Sequence, residues 1–330
     1  MVSPQNILKV LADGKYHSGT ELGHLFGISR AAIGKNIHKI EQTYNLTVFA
    51  VKGKGYRLQQ PLALLDKDEI KQRLSVNTVK QLTQLEIFFD IDSTNRYLNS
   101  KSLEGASSGY LVLAEQQTKG TGRRGKAWIS PFGSNLYLSL LWRFQYGPAQ
   151  LGCLSLFVAV AIIRALKKAG IEDAGVKWPN DIYWQNKKLA GILLEMRGES
   201  SGPSTVVIGV GVNINMSKNS IETNDIDQPW VDLESITGKK IDRNHFTAIV
   251  IDMLFDVLND VPDDQGKLFE EWQQMDILKG KNIEVTFADK IISGKALGIN
   301  HAGALRVLHA GKDVICHSGE VSIRHDKPND

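Results

Sequence analysis

Apolar residues in the first sixty positions recur at helical spacing, and each recurrence follows a helix-start signal. Ser3-Pro4 places a capping hydroxyl before a proline, Ser18–Glu21 matches the capping box, and Ser29 can cap a third helix. These signals predict three short helices. We expect the following side chains to face their common core: Ile7, Leu8, Leu11, Leu22, Leu25, Phe26, Ile33, Ile37 and Ile40.

The third predicted helix has a second, polar face opposite its isoleucine stripe. Two helices joined by a glycine-containing turn form a helix-turn-helix, whose second helix lies in the major groove of DNA. The segment from Gly19 to His38 has this pattern and predicts DNA binding. The side chains expected at the DNA are Ser29, Arg30, Ala31, Lys35 and His38.

Two short apolar runs, Val48–Val51 and Tyr56–Leu58, flank a basic, glycine-rich tetrapeptide and predict a β-hairpin. Lys52 and Lys54 stand at its tip, as in the wing of a winged helix-turn-helix, where lysines can contact phosphates without reading sequence. A small helical interaction domain with a solvated basic face is the alternative that this pattern leaves open. Gln59–Pro61 breaks the pattern and marks a domain boundary.

From about residue 84 the pattern changes to a mixture of strands and helices. They do not alternate strictly, so a mixed β-sheet backed by helices is favoured over a doubly wound sheet. After Ile283, short alternating runs separated by glycines predict a small antiparallel β-barrel. The predicted fold class is α+β, in three domains: 1–60, a winged helix-turn-helix; 61–275, the central domain; and 276–330, the barrel. The expected central strands are Ile87–Phe89, Tyr110–Ala114, Leu136–Trp142 and Val206–Val212, and the expected helices are Leu151–Ala169 and Phe246–Val257.

Charge is concentrated in the first sixty residues, which we call the head. The head holds eight Lys or Arg and three Asp or Glu, a balance of +5, whereas the whole chain carries +3. The rest of the chain is therefore net negative, at −2. This asymmetry favours binding of an acidic polymer by the head.

Export or a membrane anchor is not expected from this sequence. The longest apolar candidate, Leu154–Leu166, is shorter than the ~20 residues that span a bilayer. Ser155 and Arg164 interrupt it, so a buried helix is expected. The N-terminus lacks a signal-peptide pattern, and Cys153 and Cys316 lie far apart without metal-ligand spacing. We therefore expect a cytoplasmic protein with two reduced thiols.

Two polar segments of the central domain could contact a ligand. Asp92–Asn95 follows a predicted strand and precedes a helix, where its side chains could either cap that helix or bind a polar ligand. Gln117–Trp128 contains three glycines, which let backbone amides approach an anion, together with basic side chains and a tryptophan for stacking. A flexible basic surface loop, or a second nucleic-acid contact, is the alternative for this loop.

Two further segments combine turns with charge. Lys177–Asp181 predicts a rigid turn that could present Asp181 to a metal and Lys177 to phosphate, although such a pentapeptide is more often only a turn. Lys187–Glu195 could be a surface hairpin with lysines at its tip. The small residues that follow Lys188 instead favour close approach to something bound.

These segments carry a resemblance to a known family. Asp92–Asn95, the basic glycine loop, Lys177–Asp181, Lys188–Leu193 and Gly209–Asn213 occur in one order behind a winged helix. In this order and spacing, the chain resembles the bifunctional bacterial biotin–protein ligases that also repress the biotin operon. The resemblance covers nearly all 330 residues. It implies a class II synthetase-like central fold and an SH3-like C-terminal barrel.

The resemblance also implies the reaction and its partners. Biotin's carboxylate would attack ATP, with Mg²⁺, and the resulting biotinyl-5′-AMP would biotinylate a lysine of the biotin carboxyl carrier protein of acetyl-CoA carboxylase. Operator DNA would be the other partner, bound by a homodimer that forms when biotinyl-AMP is present. Arg123 and Lys188 would be catalytic, because they can balance developing negative charge, and Asp181 would face Mg²⁺. Biotin contacts would come from Ser93, Thr94, Asn95, Gln117, Thr121, Gly122, Arg123 and Lys188. Nucleotide contacts would come from Gly120, Arg124, Lys126, Trp128, Lys177, Asn180 and Asp181.

One position departs from the family pattern. The family's loop is usually Gly-Arg-Gly-Arg-Arg-Gly, whereas this chain has Thr121 in place of the first arginine. Because a neutral hydroxyl replaces a charged side chain, we expect this position to affect how tightly the biotinyl-5′-AMP intermediate is retained. Three other functions stay open: a lipoate or octanoate ligase, a biotin-sensing repressor with an inactive site, and a ligase whose head no longer represses.

Overall fold

The computed structural model describes residues 3–199, 202–216, 226–287, 290–317 and 320–323. Its helices are α1 Pro4–Leu11, α2 Gly19–Phe26, α3 Arg30–Tyr44, α4 Lys67–Arg73, α5 Val76–Gln81, α6 Thr94–Leu103, α7 Leu154–Lys168, α8 Leu233–Thr237, α9 Arg243–Asp260 and α10 Gln265–Gln274. Its strands are β1 Val48–Val51, β2 Gly55–Leu58, β3 Gln84–Phe88, β4 Tyr110–Ala114, β5 Leu136–Phe144, β6 Gly175–Lys177, β7 Asp181–Trp184, β8 Lys187–Gly198, β9 Ser204–Val212, β10 Asn282–Phe287, β11 Lys290–Ile299, β12 Leu305–His309, β13 Lys312–Cys316 and β14 Glu320–Ile323. Arg123–Gly125 and Pro148–Leu151 form short 3₁₀ turns.

Local signals account for the fold of the head. The Ser18 side chain accepts a hydrogen bond from the backbone N–H of Glu21, which completes the predicted capping box, and Ser29 caps α3. Antiparallel pairing of β1 with β2 places Lys52 and Lys54 at an exposed tip, so the hairpin prediction is confirmed. The core of the head is formed by Ile7, Leu8, Leu11, Leu22, Ile33, Ile37 and Ile40, all buried.

Leu25 was expected in this core, and that expectation is wrong, because the residue is 61% exposed. The interior face of α2 contains Gly19, Leu22 and Gly23. A Cβ atom at Gly23 would lie 2.7 Å from the carbonyl oxygen of Ile28, so the glycine allows the chain to pack closely there. Since successive helical residues are rotated by about 100°, Leu25 lies outside this face.

The central sheet contains seven strands in the order β3-β4-β5-β9-β8-β7-β6. β3 and β4 are parallel, and the other neighbouring pairs are antiparallel, so the mixed sheet is confirmed. α7 and α9 pack on one face and share the main hydrophobic core with the strands. α6 packs on the other face, where Leu98 joins Val112, Leu141 and Val207.

The most apolar helix belongs to this core. Among the described residues, one helical segment is long and apolar enough, by length and composition alone, to cross a membrane: Pro148–Lys168. Most of the segment is buried inside the protein, with Phe157 at 2% and Ile162 at 0% exposure. The burial expected for Leu154–Leu166 is therefore confirmed, with Arg164 partly buried at its solvent side.

The C-terminal residues form a five-stranded antiparallel sheet in the order β13-β12-β11-β10-β14. Among the described residues, β13 and β14 do not pair, so the sheet is not seen to close into a barrel. It docks on the central domain: Trp178 Nε1 donates to the Gly303 carbonyl at 2.9 Å, and Gly303 lies against Cys153 and Leu156. This docking brings β14 close to the cavity described below.

Aromatic side chains join the head to the central domain. Tyr44 of α3 packs against Phe132 with ring centroids 4.4 Å apart, and Phe89 lies 5.8 Å from Phe132. The Tyr44 hydroxyl donates to Asp90 at 3.2 Å. Phe89 and Asp90 belong to the connection that leads from β3 to Ser93. The head therefore contacts the chain segment immediately before one of the predicted ligand-binding motifs.

Candidate active site

A cavity of about 400 Å³ opens on the face of the central sheet that carries α6. Nearly all side chains predicted at biotin or ATP line it: Ser93, Thr94, Asn95, Gln117, Thr121, Gly122, Arg123, Arg124, Lys126, Trp128, Lys177, Asn180, Asp181 and Lys188. Gly120 does not. A Cβ atom at Gly120 would lie 2.5 Å from the Trp128 carbonyl oxygen, so this glycine allows the basic loop to fold back on itself.

The Asp92–Asn95 segment both caps a helix and lines the cavity. Ser93 accepts a hydrogen bond from the Arg96 backbone N–H at 3.4 Å, as the capping interpretation expects. Thr94, in the next position, is 3% exposed. It donates from its backbone nitrogen and its hydroxyl to Gln117 Oε1, at 2.9 and 3.1 Å. These bonds fix the orientation of the Gln117 amide at the cavity floor.

The basic glycine loop is tied to the turn that follows β6. Arg123 Nη1 donates to Asn180 Oδ1 at 3.1 Å, which links two motifs that are far apart in sequence. Arg124 adopts a left-handed backbone conformation, with φ of 55°. The Thr121 hydroxyl donates to the Lys119 carbonyl at 3.0 Å. At the position where the family usually has arginine, this side chain therefore stabilises its own loop.

An ion pair lies at the centre of the cavity wall. Lys188 Nζ is 3.0 Å from Asp181 Oδ1, and their side chains are 15% and 22% exposed. The same ammonium lies 5.4 Å from the centroid of the Trp128 ring. A lysine partly withdrawn from water interacts more strongly with a neighbouring anion than an exposed lysine does.

Lys177 is positioned by an aromatic side chain. Its Nζ donates to the Tyr183 hydroxyl at 3.3 Å and lies 4.7 Å from the ring centroid. Burial, with a smaller contribution from the Asp181 charge, raises the pKa of Tyr183 to about 12. The hydroxyl therefore keeps its proton at neutral pH and can donate it to a ligand oxygen in the cavity.

The Trp128 ring lies across two neighbouring strands. Gly191 of β8 is paired with Gly211 of β9. Cβ atoms at these positions would lie 3.0 and 2.5 Å from the ring. The ring fits because neither residue has a side chain, and its Nε1 is buried without a hydrogen-bond partner in the described part of the chain. Gly191 and Gly211 thus create a flat surface for the ring.

The charges of the cavity suit a polyanion. Cationic side chains outnumber the lining carboxylates, Asp181 and Asp227. The cations are Arg123, Arg124, Lys126, Lys177 and Lys188. Such a set stabilises negative charge that develops where a carboxylate reacts with a phosphate. A single carboxylate beside a phosphate site also fits Mg²⁺, which takes one or two carboxylates together with substrate phosphates. A group of three His, Cys, Asp or Glu side chains able to hold a metal is absent from the described residues.

Models of known protein families match most of the chain. Residues 88–213 match the biotin/lipoate A/B protein ligase family, 5–57 match a helix-turn-helix domain, and 279–324 match the biotin protein ligase C-terminal domain.

Bacterial relatives match the chain over nearly its full length. The chain is 39% identical to the bifunctional ligase/repressor BirA of Salmonella typhimurium, over 97% of each chain. The chain belongs to the bifunctional ligase/repressor family. It is also 31% identical to the corresponding protein of Bacillus subtilis, over 89% of this chain and 90% of that one. The family resemblance noted in the sequence is confirmed.

A solved structure is similar to most of this ligase/repressor. Biotin protein ligase from Aquifex aeolicus, in complex with biotin and ATP, superimposes with a TM-score of 0.62 at 27% identity. The match covers 74% of this chain and all of the Aquifex chain.

The sequence did not reveal several residues that line the cavity of this ligase/repressor, nor the buried serine that contacts Asn95 from behind it. Ser139 of β5 is fully buried, and its hydroxyl lies 2.6 Å from Asn95 Oδ1. A lone serine within the apolar run 136–142 was the signal that could have found it. The segment 226–231 reaches the cavity because it pairs with the Lys188 backbone: the Lys188 N–H donates to the Pro229 carbonyl, and the Val231 N–H donates to the Lys188 carbonyl. The lining residues that the sequence did not reveal are Ile129, Tyr137, Leu138, Tyr183, Ile226, Asp227, Gln228, Trp230 and Val321.

The predicted DNA face of this ligase/repressor lies at the surface of the head. The following side chains are exposed: Ser29, Arg30, Ala31, Lys35, His38, Lys52 and Lys54. The isoleucine stripe of α3 is buried beneath them. A basic helix face and a basic hairpin tip are therefore both available to the phosphates of a duplex.

Proposed function

We propose that this protein activates biotin with ATP, transfers it to a carrier lysine, and binds operator DNA through its head. The observation that carries the proposal is the convergence of four separated motifs on one cavity, where Arg123 contacts Asn180 and Lys188 pairs with Asp181. The family is bifunctional, so ligase and repressor activities are expected in one chain. Biotin and ATP are its substrates.

The reaction has two steps. A biotin carboxylate oxygen attacks the α-phosphorus of ATP, the bond to the bridging oxygen breaks, and pyrophosphate leaves with its electrons. The amine of a carrier lysine then attacks the acyl carbon of biotinyl-5′-AMP, the C–O bond to AMP breaks, and the amine loses a proton. Arg123 and Lys188 would balance charge in the first step, Arg123 as a planar fork and Lys188 as a point charge.

Each group of residues that lines the cavity is assigned a substrate or ion in this proposal. Ser93, Thr94, Asn95 and Gln117 would hydrogen-bond the ureido ring of biotin, whose burial is costly without partners. Thr121 and Gly122 would lie along the same substrate, and Trp128 would pack on the adenine. Lys177, Asn180, Arg124 and Lys126 would bind the nucleotide, with Gly120 shaping the loop. Asp181 would hold Mg²⁺, which when bound balances charge on the triphosphate.

The proposed domains, partners and assembly are those that membership of the same family suggests. We propose the domains 1–60, 61–275 and 276–330, the last being an SH3-like barrel whose residues 324–330 lie outside the described residues. The carrier would be the biotin carboxyl carrier protein of acetyl-CoA carboxylase, in the cytoplasm. A homodimer that forms with biotinyl-AMP would pair two heads on a palindromic operator. The two protomers of this homodimer would contact each other along a sheet edge. Support comes from β8, whose residues after Gly191 pair with β9 but, in the described chain, not with β7, so that one side of the strand is open there.

One assay separates this function from a lipoate or octanoate ligase. The protein is incubated with ATP, Mg²⁺, a carrier domain and either labelled biotin or labelled lipoate, and label on the carrier is counted. Operator binding is then measured with and without biotin and ATP. We expect biotin on the carrier and tighter DNA binding when biotinyl-AMP forms. Transfer of lipoate alone, or DNA binding without carrier labelling, would refute the ligase proposal.

The wing lysines should contribute to DNA affinity without sequence preference. Replacing Lys52 and Lys54 by alanine is expected to weaken binding to operator and to unrelated duplexes alike, and to reduce the slope of log K against log salt by about 0.9 for each phosphate that the variant no longer neutralises. Titrations at several salt concentrations measure that slope. Lys239→Ala, on an exposed site of the central domain, is the control. An unchanged slope in the double variant would argue against a role of the wing in DNA binding.

A further inference from the structure

A glutamate outside the cavity contacts one of its floor residues. Asn95 is 6% exposed, and its Nδ2 donates to Glu195 Oε2 at 2.8 Å. Glu195 lies on β8, is exposed, and also accepts a hydrogen bond from Asn99 Nδ2 at 2.9 Å. Neither the reaction nor the binding roles proposed above use Glu195.

The Asn95 side chain lies across one row of the sheet. In the strand register, Gly209 of β9 is opposite Ser139 of β5 and Leu193 of β8. A Cβ atom at Gly209 would lie 2.3 Å from Asn95 Oδ1, so the missing side chain makes room for the amide. The amide spans from the Ser139 hydroxyl on one side to the Leu193 carbonyl and Glu195 on the other. Its remaining freedom is an exchange of its oxygen and nitrogen.

Glu195 makes the stronger of the two contacts that select one orientation, because the Leu193 carbonyl, which favours the same orientation, is 3.5 Å from Nδ2 and Glu195 is 2.8 Å away. An ionised carboxylate can only accept hydrogen bonds, so it requires the nitrogen of the Asn95 amide on its side. The reversed amide would direct Oδ1 at the carboxylate and lose a charge-assisted hydrogen bond. In the orientation that Glu195 favours, Oδ1 accepts the Ser139 hydroxyl with one lone pair, 2.6 Å away. Its second lone pair remains for a ligand N–H at the cavity floor.

We propose that Glu195 is a positioning residue for ligand specificity, which holds Asn95 Oδ1 as an acceptor for a ring that carries N–H groups. The inference rests on the proposed biotin-binding role of Asn95. The ureido ring of biotin supplies such N–H donors, whereas the dithiolane ring of lipoate has none. A buried acceptor left without a donor disfavours the wrong ligand, and this makes hydrogen-bonding sites selective.

Exchanging the donor and the acceptor tests this arrangement. Asn95→Asp opposes two carboxylates and is expected to weaken biotin binding by about 30-fold or more. Glu195→Gln removes the stronger orientation constraint and leaves only the more distant Leu193 carbonyl, so it is expected to weaken biotin binding about tenfold. The double variant Asn95→Asp/Glu195→Gln restores one donor and one acceptor in swapped positions, with the same total charge. It is expected to bind biotin within about fivefold of the wild type, because the coupling between the two sites is recovered.

Calorimetric titration of the full chain with biotin provides the affinities, and pyrophosphate release at saturating biotin provides kcat. Asn99→Ala removes the other Glu195 contact and is the matched control, expected to stay within about twofold. We expect KM for biotin to rise in Glu195→Gln, with kcat and the KM for ATP within about threefold. Wild-type affinity in Glu195→Gln, or a double variant no tighter than Asn95→Asp, would overturn the inference. Failure of the wild-type chain to bind biotin would overturn the proposed function instead.

Discussion

Replacing Lys188 by alanine is expected to slow adenylate formation by about 10²–10³-fold, the usual loss when one preorganised charge-stabilising group is removed. The Lys188 side chain is 15% exposed and pairs with Asp181 at 3.0 Å. In the proposed mechanism its removal takes a positive charge from the reacting groups, and it leaves the Asp181 carboxylate unpaired at the proposed triphosphate site. Pyrophosphate release with biotin, ATP and Mg²⁺ measures the rate.

The neighbouring Lys187 is the matched control for this prediction. It is exposed and precedes Lys188 in β8, so Lys187→Ala removes the same charge from a position that does not line the cavity. Its rate is expected to stay within about twofold of the wild type, as for most surface substitutions. The folded state of both variants is checked by thermal unfolding. Pyrophosphate release by Lys188→Ala at the Lys187→Ala rate would exclude the catalytic role.

Replacing Arg243 by methionine is expected to lower the free energy of unfolding by about 3–5 kcal/mol, because it leaves a buried carboxylate without its partner. Arg243 Nη1 lies 2.7 Å from Glu115 Oε2, and both side chains are 1% exposed. The guanidinium also donates to the carbonyls of Ala63 and Asn135, at 2.9 and 2.8 Å. Glu115 in turn accepts the backbone N–H of Leu65. The pair therefore ties the segment after the head to β4 and α9. Urea titration followed by fluorescence measures the loss.

An exposed pair of the same kind provides the control. Arg306 and Asp313 bond across β12 and β13, with side chains 41% and 39% exposed. Arg306→Met should cost less than about 1 kcal/mol, because water screens and replaces such a pair. Arg243→Met/Glu115→Gln should recover part of the loss, since it removes the unpaired charge. Equal losses in Arg243→Met and Arg306→Met would refute the role of burial.

Elements whose causes are local could be predicted from the sequence. The capping box at Ser18–Glu21 and the isoleucine stripe of α3 depend on residues within one or two turns, and both are confirmed. The wing depends on two short runs and the glycines between them, and it is confirmed as well. The prediction that Leu25 is buried was wrong because helical spacing shows which residues share a face but not how wide the buried part of that face is. The close approach of Gly23 to Ile28 decides which side of α2 is buried.

For the active site, the sequence alone determined the residue types, their order and the family, and therefore the reaction class. Only the tertiary structure decided which side chains meet. Arg123 reaches Asn180 across 57 positions, and Trp128 fits over Gly191 and Gly211 because β8 and β9 pair in that register. Ser139 contacts the cavity residue Asn95 because β5 pairs with β9. Turn geometry and the hydrophobic pattern set the register of consecutive strands such as β8 and β9. Contacts between segments far apart in the chain depend instead on how whole elements pack, which no local pattern specifies.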